Sequence, residues 1–121
     1  MNIMVVDNSK IVRDRISILV GILPDVHVNS FDVSEYKYGH ACEQVDPNII
    51  IISADDASPT CLYKFKNLKK ENPELLGIVL SNSPYEEYEI KWRKVGAEFY
   101  FDKSTEFKKI LDVCGKTENI V

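Results

Sequence analysis

Four consecutive isoleucines, Ile49 to Ile52, stand between Pro47-Asn48 and Ser53. A short, unbroken apolar run closed off by turn-forming residues reads as a strand buried on both faces, the central strand of a helix-covered parallel sheet. It delivers one polar side chain, Ser53, to its carboxyl end. In open parallel α/β sheets that edge is where ligands and chemistry sit.

The rest of the chain alternates strand-length with helix-length segments. Ile3 to Val6 forms a first apolar strand. Ser9 can cap a helix running to about Leu23, with Ile11, Val12, Ile16, Leu19, Val20 and Leu23 at helical spacing and Pro24-Asp25 as the break. Val26 to Phe31 is a second, β-rich segment. Ser34 to Val45 reads as a poorer helix with Gly39 inside it, at about 1 kcal/mol relative to alanine. Asn48 to Ser53 is the central strand.

Ser58-Pro59 is a helix-start signal, with proline at the first helical position. That helix turns Leu62, Phe65 and Leu68 to one face and stops before Asn72-Pro73. Leu76 to Leu80 is a fourth strand. Ser83-Pro84 starts a helix with Tyr85, Tyr88, Trp92 and Val95 on one face, lining core or groove, and Gly96 ends it as a C′ glycine. Glu98 to Phe101 is a fifth strand. Ser104 can cap a last helix with Phe107, Ile110, Leu111 and Cys114 inward; Gly115 closes it and residues 115–121 are expected as a frayed tail. The alternation implies crossover connections and a parallel sheet within a single domain spanning residues 1–121.

Composition narrows the function. The 121 residues fit one core, and 45% apolar content suits a globular domain. The net charge of −4 argues against binding a phosphate backbone. The cluster Lys64, Lys66, Lys69 and Lys70 is followed at once by Glu71 and Glu74 and reads as a solvated helix face. Cys42, Cys61 and Cys114 show no metal-type spacing, and His27 and His40 are the only histidines, so a zinc site is not expected. Reduced, mostly buried thiols and a cytoplasmic location are the expectation. No apolar run approaches a membrane span, and the N-terminal run lacks the basic flank of a signal peptide.

Polar residues gather at the predicted strand ends: Asp7-Asn8-Ser9 after strand one, Ser53 after strand three, Ser81-Asn82 after strand four, and Asp102-Lys103-Ser104 after strand five. In this order, and with the segment Gly96-Ala97-Glu98-Phe99-Tyr100-Phe101-Asp102-Lys103-Ser104, residues 1 to about 114 resemble a stand-alone, chemotaxis-regulator-like response-regulator receiver domain. The resemblance implies a doubly wound, flavodoxin-like five-stranded parallel sheet of order 2-1-3-4-5. It sets Asp7 and Asn8 on the family's acidic pair, Ser53 on its phosphoaccepting aspartate, Ser81 on its phosphoryl-binding Thr/Ser, Lys103 on its lysine and Tyr100 on its aromatic switch residue.

Asn8 and Ser53 are departures. The family's direct carboxylate ligands for Mg²⁺ are the second acid of the pair and the acceptor, and both are neutral here. Mg²⁺ favours carboxylate oxygens, so it is expected to bind weakly at most, through Asp7, and no other cofactor is expected. Asp7 and Lys103 are expected to pair directly, with Asn8, Ser53 and Ser81 supplying hydrogen bonds. A serine hydroxyl without an adjacent base is a weak nucleophile, so Ser53 is not a drop-in acceptor.

These features imply a non-enzymatic two-component signalling module, an atypical receiver. It would contact a histidine kinase or a downstream signalling protein, with no direct nucleic-acid or membrane role and with homodimerisation left open. The resemblance places the contact surface on the fourth helix, fifth strand and fifth helix, at Glu87, Lys91, Lys94, Tyr100 and Lys108. The alternative is a working phosphoacceptor with Mg²⁺ that uses Asp55, two residues on from Ser53 and on the same strand face if the strand continues. A flavin or nucleotide binder of related topology lacks a Gly-rich or Ser/Thr-rich loop after strand one.

Overall fold

The structure is a computed structural model that describes residues 1–54, 58–83 and 85–120. Five strands, β1 (Asn2–Val6), β2 (His27–Phe31), β3 (Ile49–Ser53), β4 (Leu76–Ser81) and β5 (Phe99–Asp102), form one parallel sheet of order β2-β1-β3-β4-β5. Helices α1 (Lys10–Val20), α2 (Val33–Tyr38), α3 (Pro59–Glu71), α4 (Glu86–Lys94) and α5 (Lys109–Ile120) make the crossovers, with a 3₁₀ turn at Ala41–Gln44. This is the flavodoxin-like receiver fold.

Strand alternation divides the isoleucine run between two cores. Ile49 and Ile51 pack with Ile3, Val5, Ile78 and Leu80 beneath α1 and α5, where Ile16, Val20, Ile110 and Cys114 are buried. Ile50 and Ile52 pack with Met4, Val6 and Val79 beneath α2, α3 and α4, against Tyr36, Phe65 and Trp92. All four isoleucines are fully buried, each worth about 1.5–3 kcal/mol on transfer from water. Phe65 and Trp92 meet edge to face at 5.4 Å. Gly77 makes this possible, because a Cβ there would lie 2.4 Å from the Phe65 ring. Burial pushes the Cys114 thiol up to about 12, which makes it an unreactive core group.

Several sequence expectations hold in detail. The Ser9 hydroxyl accepts from the Val12 N–H at 3.3 Å and caps α1. Pro59 is the first residue of α3, and Gly96 takes φ 113° just after α4. Pro84 lies outside the described residues.

Others are corrected. The helix expected over Ser34 to Val45 is broken at Gly39, whose backbone is extended. A Cβ at Gly39 would lie 2.6 Å from the Glu35 carbonyl oxygen. This helix starts one residue earlier than expected, because Asp32 and Glu35 form a reciprocal capping box. Ile11 is 73% exposed rather than core-facing; the inward face of α1 is Ile16 and Val20, with Val12 and Leu19 partly buried, and Leu23, expected in this helix, lies beyond its end at Val20. Tyr85 is exposed, resting edge-on against Tyr88. Ser104 does not cap α5, which begins at Lys109. The intervening loop is held by Asp102, which accepts from the Ser104 and Thr105 N–H groups, and by Glu106, which accepts from the Asp102 N–H. The last helix runs through Gly115 to Ile120, so the expected frayed tail is helical as far as that residue. No helix among the described residues is long and apolar enough to cross a membrane.

Candidate functional site at the carboxyl edge of the sheet

The ends of β1, β3 and β5 converge on a pocket of about 310 Å³ lined by Asp7, Asn8, Val33, Lys37, Ser53, Ala54, Ser58, Cys61 and Lys103. A larger, more open hollow of about 490 Å³ lies between α2 and α3 and shares Lys37. It contains no strand-end residue, so the chemistry points to the smaller pocket.

Asp7 anchors the pocket. It directly follows β1 and is 3% exposed. One carboxylate oxygen accepts from the Ser9 N–H at 2.7 Å, and the other lies 2.9 Å from the Lys103 ammonium. The Ser53 hydroxyl oxygen is enclosed and faces this carboxylate, yet closes no hydrogen bond of ordinary geometry. Burial acts to raise the Asp7 pKa. The Ser53 hydroxyl, the Lys103 ammonium and the Ser9 N–H outweigh it and hold the carboxyl below its usual value. Asp7 is therefore ionised and already partnered. The Asp7 carbonyl also accepts from the Arg13 guanidinium at 2.7 Å, which ties α1 to the site.

The other expected residues divide. Lys103 extends the β4–β5 ladder through its N–H to the Ser81 carbonyl at 3.0 Å, and this aims its side chain across the strand ends at Asp7. Asn8 lines the pocket, but its side-chain oxygen accepts from the Val33 N–H at 3.0 Å and so braces the start of α2. Ser81 is buried, and its hydroxyl accepts from the Ser83 N–H at 2.9 Å. It fixes the β4–α4 loop and does not line the pocket. The expected pairing of Asp7 with Lys103 is present, while Asn8 and Ser81 hydrogen-bond backbone elsewhere.

Asp55 lies outside the described residues. Tyr100 packs against the core beneath α2, α3 and α4 with its hydroxyl enclosed. Its side chain is partly buried, between that core and the surface. Lys91, Lys94, Glu87 and Lys108 are exposed; Lys108 lies in the turn before α5, not within it.

Lys37 was missed by sequence reasoning. It sits in the last turn of α2 and reaches the pocket because that helix is short and stops at Gly39. No motif marks it, since its place depends on how α2 docks.

Among the described residues the donor set suits Mg²⁺ poorly. Both Asp7 oxygens are engaged, Asn8 and Ser53 are neutral, and no group of three His, Cys, Asp or Glu side chains suited to a metal ion occurs among the described residues.

No family model matches the chain, and no curated protein matches it. Solved structures do. A response regulator receiver protein from Pseudoalteromonas atlantica is 22% identical, with 98% of each chain covered and a TM-score of 0.80. A response regulator from Thermotoga maritima is 19% identical over 96% of this chain and 95% of its own, at 0.77. An atypical orphan response regulator, described as having a phosphorylation-independent regulatory mechanism, is 15% identical over 100% of this chain and 98% of its own, at 0.75. The architecture is that of response-regulator receiver domains.

Proposed function

We propose that this chain is an atypical receiver of the two-component response-regulator type. On this reading it signals through protein contacts and forms no aspartyl phosphate at the position held by Ser53. The carrying observation is the state of Asp7: buried, ionised and paired at 2.9 Å with Lys103, beside neutral Ser53 and Asn8. Phosphoryl transfer to a receiver needs a carboxylate nucleophile next to a divalent ion that neutralises developing charge. Here the lysine takes the place of that ion against Asp7, and the position of the nucleophile is held by a hydroxyl that faces a carboxylate already paired with Lys103. The partner would be a histidine kinase or a downstream signalling protein. The exposed charges Glu87, Lys91, Lys94 and Lys108, on α4 and the turn before α5, offer the contact surface.

Incubation with a small acyl-phosphate donor and Mg²⁺, followed by intact mass measurement, tests the reading. The expected result is an unchanged mass. A phosphate-sized increase abolished by Asp55→Asn would replace this reading with the working phosphoacceptor.

A further inference from the structure

We infer that the chain pairs with a second copy of itself through the outer face of α1 and α5. No residue of the strand-end pocket takes part, so this surface and that site are independent.

Three isoleucines lie along the side of α1 turned away from the sheet. Ile11, Ile18 and Ile22 are 73%, 74% and 69% exposed. At about 100° per residue they fall within an arc of about 40°, and Gly21 keeps the helical course past Val20 with αR backbone angles. Single exposed apolar side chains are ordinary, but three in line make a patch. Long charged neighbours commonly cover such a patch with their stems. Here they are drawn aside. The Lys10 ammonium pairs with Asp14 at 2.8 Å on one flank, and the Arg15 guanidinium lies 5.2 Å from the centre of the Phe107 ring on the other.

The second half of the surface is a shallow hollow on α5. It has a volume of about 320 Å³ and is lined by Leu111, Asp112, Gly115 and Lys116. Gly115 stands inside the helix, where glycine costs about 1 kcal/mol relative to alanine. Packing within the chain does not demand it, because a Cβ there would lie 3.8 Å from the nearest atom, a Leu23 methyl, at ordinary contact distance. What the bare backbone provides is the hollow.

Ridge and hollow fit each other across a two-fold axis. Both helices pack on the same sheet face, and Arg15 meets Phe107 as Leu23 meets Gly115, at the same sequence offset. They therefore run side by side in one direction. An axis parallel to them lays α1 of each copy on α5 of the other. Ile18 then falls opposite Leu111, and Ile22 over the hollow at Gly115, of the second copy. Every contact is made twice, as in an isologous interface. A ridge and a hollow of matching pitch on one chain are what a second copy requires and an unrelated partner does not. Charge does not oppose the pairing: among the described residues α1 exposes Asp14 and Arg15, and α5 exposes Asp112 and Lys116. The isoleucines bring roughly 300 Å² of apolar surface per copy, below the ~800 Å² per partner of a standard interface. The dimer is accordingly weak and reversible, with a dissociation constant on the order of 100 µM.

Sedimentation equilibrium of the whole chain from about 10 µM to about 1 mM tests the proposal. The average mass is expected to rise with concentration above the 13.8 kDa of one chain. Ile18→Glu should weaken association about a hundredfold, and Ile22→Ser about tenfold. Tyr63→Ser, at a tyrosine 69% exposed on α3 across the sheet, should leave it unchanged. All three side chains are exposed in the single chain, so melting temperatures at the lowest concentration should match the parent, which separates lost association from lost fold. The proposal is overturned if the mass stays at 13.8 kDa throughout, which would leave the stripe to a different protein. It is equally overturned if Ile18→Glu and Ile22→Ser associate like the parent. Weakening by Tyr63→Ser to the same degree would also overturn it, because association would then not be confined to α1 and α5.

Discussion

Two lysine–carboxylate pairs of similar make-up sit at opposite edges of the sheet. At the amino edge, Lys69 pairs with Glu98, its side chain 13% exposed. At the carboxyl edge, Lys103 pairs with Asp7, its side chain 18% exposed. Their surroundings differ. Lys69 also donates to the Leu75 carbonyl, Glu98 accepts from the Gly77 N–H at 2.6 Å, and the lysine stem lies over Gly96. Every polar group of that pair is tied to the backbone of the strand ends, so the pair is architectural. Around Asp7 and Lys103 the neighbours are the Ser53 hydroxyl, the Asn8 amide and a second lysine, Lys37. The same ion pair is structural where backbone closes around it, and part of a site where the sheet edge leaves a cavity.

The largest expected effect comes from removing the architectural pair. Lys69→Met combined with Glu98→Leu strands the Leu75 carbonyl and the Gly77 N–H, and should cost about 3 kcal/mol in urea unfolding. A loss below about 1 kcal/mol would show that this backbone does not depend on the pair. Next comes Lys103→Met alone. It leaves a buried carboxylate without its counter-charge and should cost about 2 kcal/mol. Adding Asp7→Asn should then restore most of that stability, because asparagine keeps an oxygen for the Ser9 N–H and carries no charge. Recovery at the carboxyl edge, with no comparable recovery at the amino edge, is the distinguishing result.

Acid should act on the same contrast. The folded-state pKa of Asp7 is depressed, so its contribution is present above the unfolded carboxylate value of about 3.9 and is lost as pH falls through the folded value. Asp102 and Glu106 are lowered as well, first by the backbone N–H groups of Thr105 and Asp102 respectively, and act with the same sign. Stability followed from pH 6 downward should fall less in Asp7→Asn/Lys103→Met than in the parent chain. Equal acid sensitivity would assign the loss to Asp102, Glu106 or other carboxylates.

The sheet was legible because burial on both faces leaves a plain mark: Ile49 to Ile52 and the apolar runs around them can be little else. Helix ends were less so, because competing local bonds decide them. The Asp32–Glu35 box moved the start of α2, an extended Gly39 stopped it, and the Asp102 and Glu106 bonds displaced Ser104 as the cap of α5. At the site, Asp7, Ser53 and Lys103 could be placed from strand ends alone. The hydrogen bonds of Asn8 to Val33 and of Ser81 to Ser83 could not, since each depends on where a neighbouring loop lies. Lys37 was invisible for the same reason, as it enters the pocket only through the docking of a shortened helix.

The smallest effect on stability, and the sharpest test of what the pocket has lost, is a gain of function. Asn8→Asp keeps an oxygen for the Val33 N–H, and Ser53→Asp places a second carboxylate beside Asp7. Among the described lining residues they set three acids against Lys37 and Lys103, adding two negative charges beside Asp7. Without a divalent ion the added repulsion should lower stability by about 1 kcal/mol. With Mg²⁺ the loss should reverse, because a bound ion stabilises the folded state in proportion to the logarithm of its concentration over its dissociation constant. A melting temperature that rises with millimolar Mg²⁺ in the double variant, and stays flat in the parent chain, would locate the difference in those two side chains. A parent chain that responds equally would place the metal ligands elsewhere, and the contrast between the two edges would then need another cause.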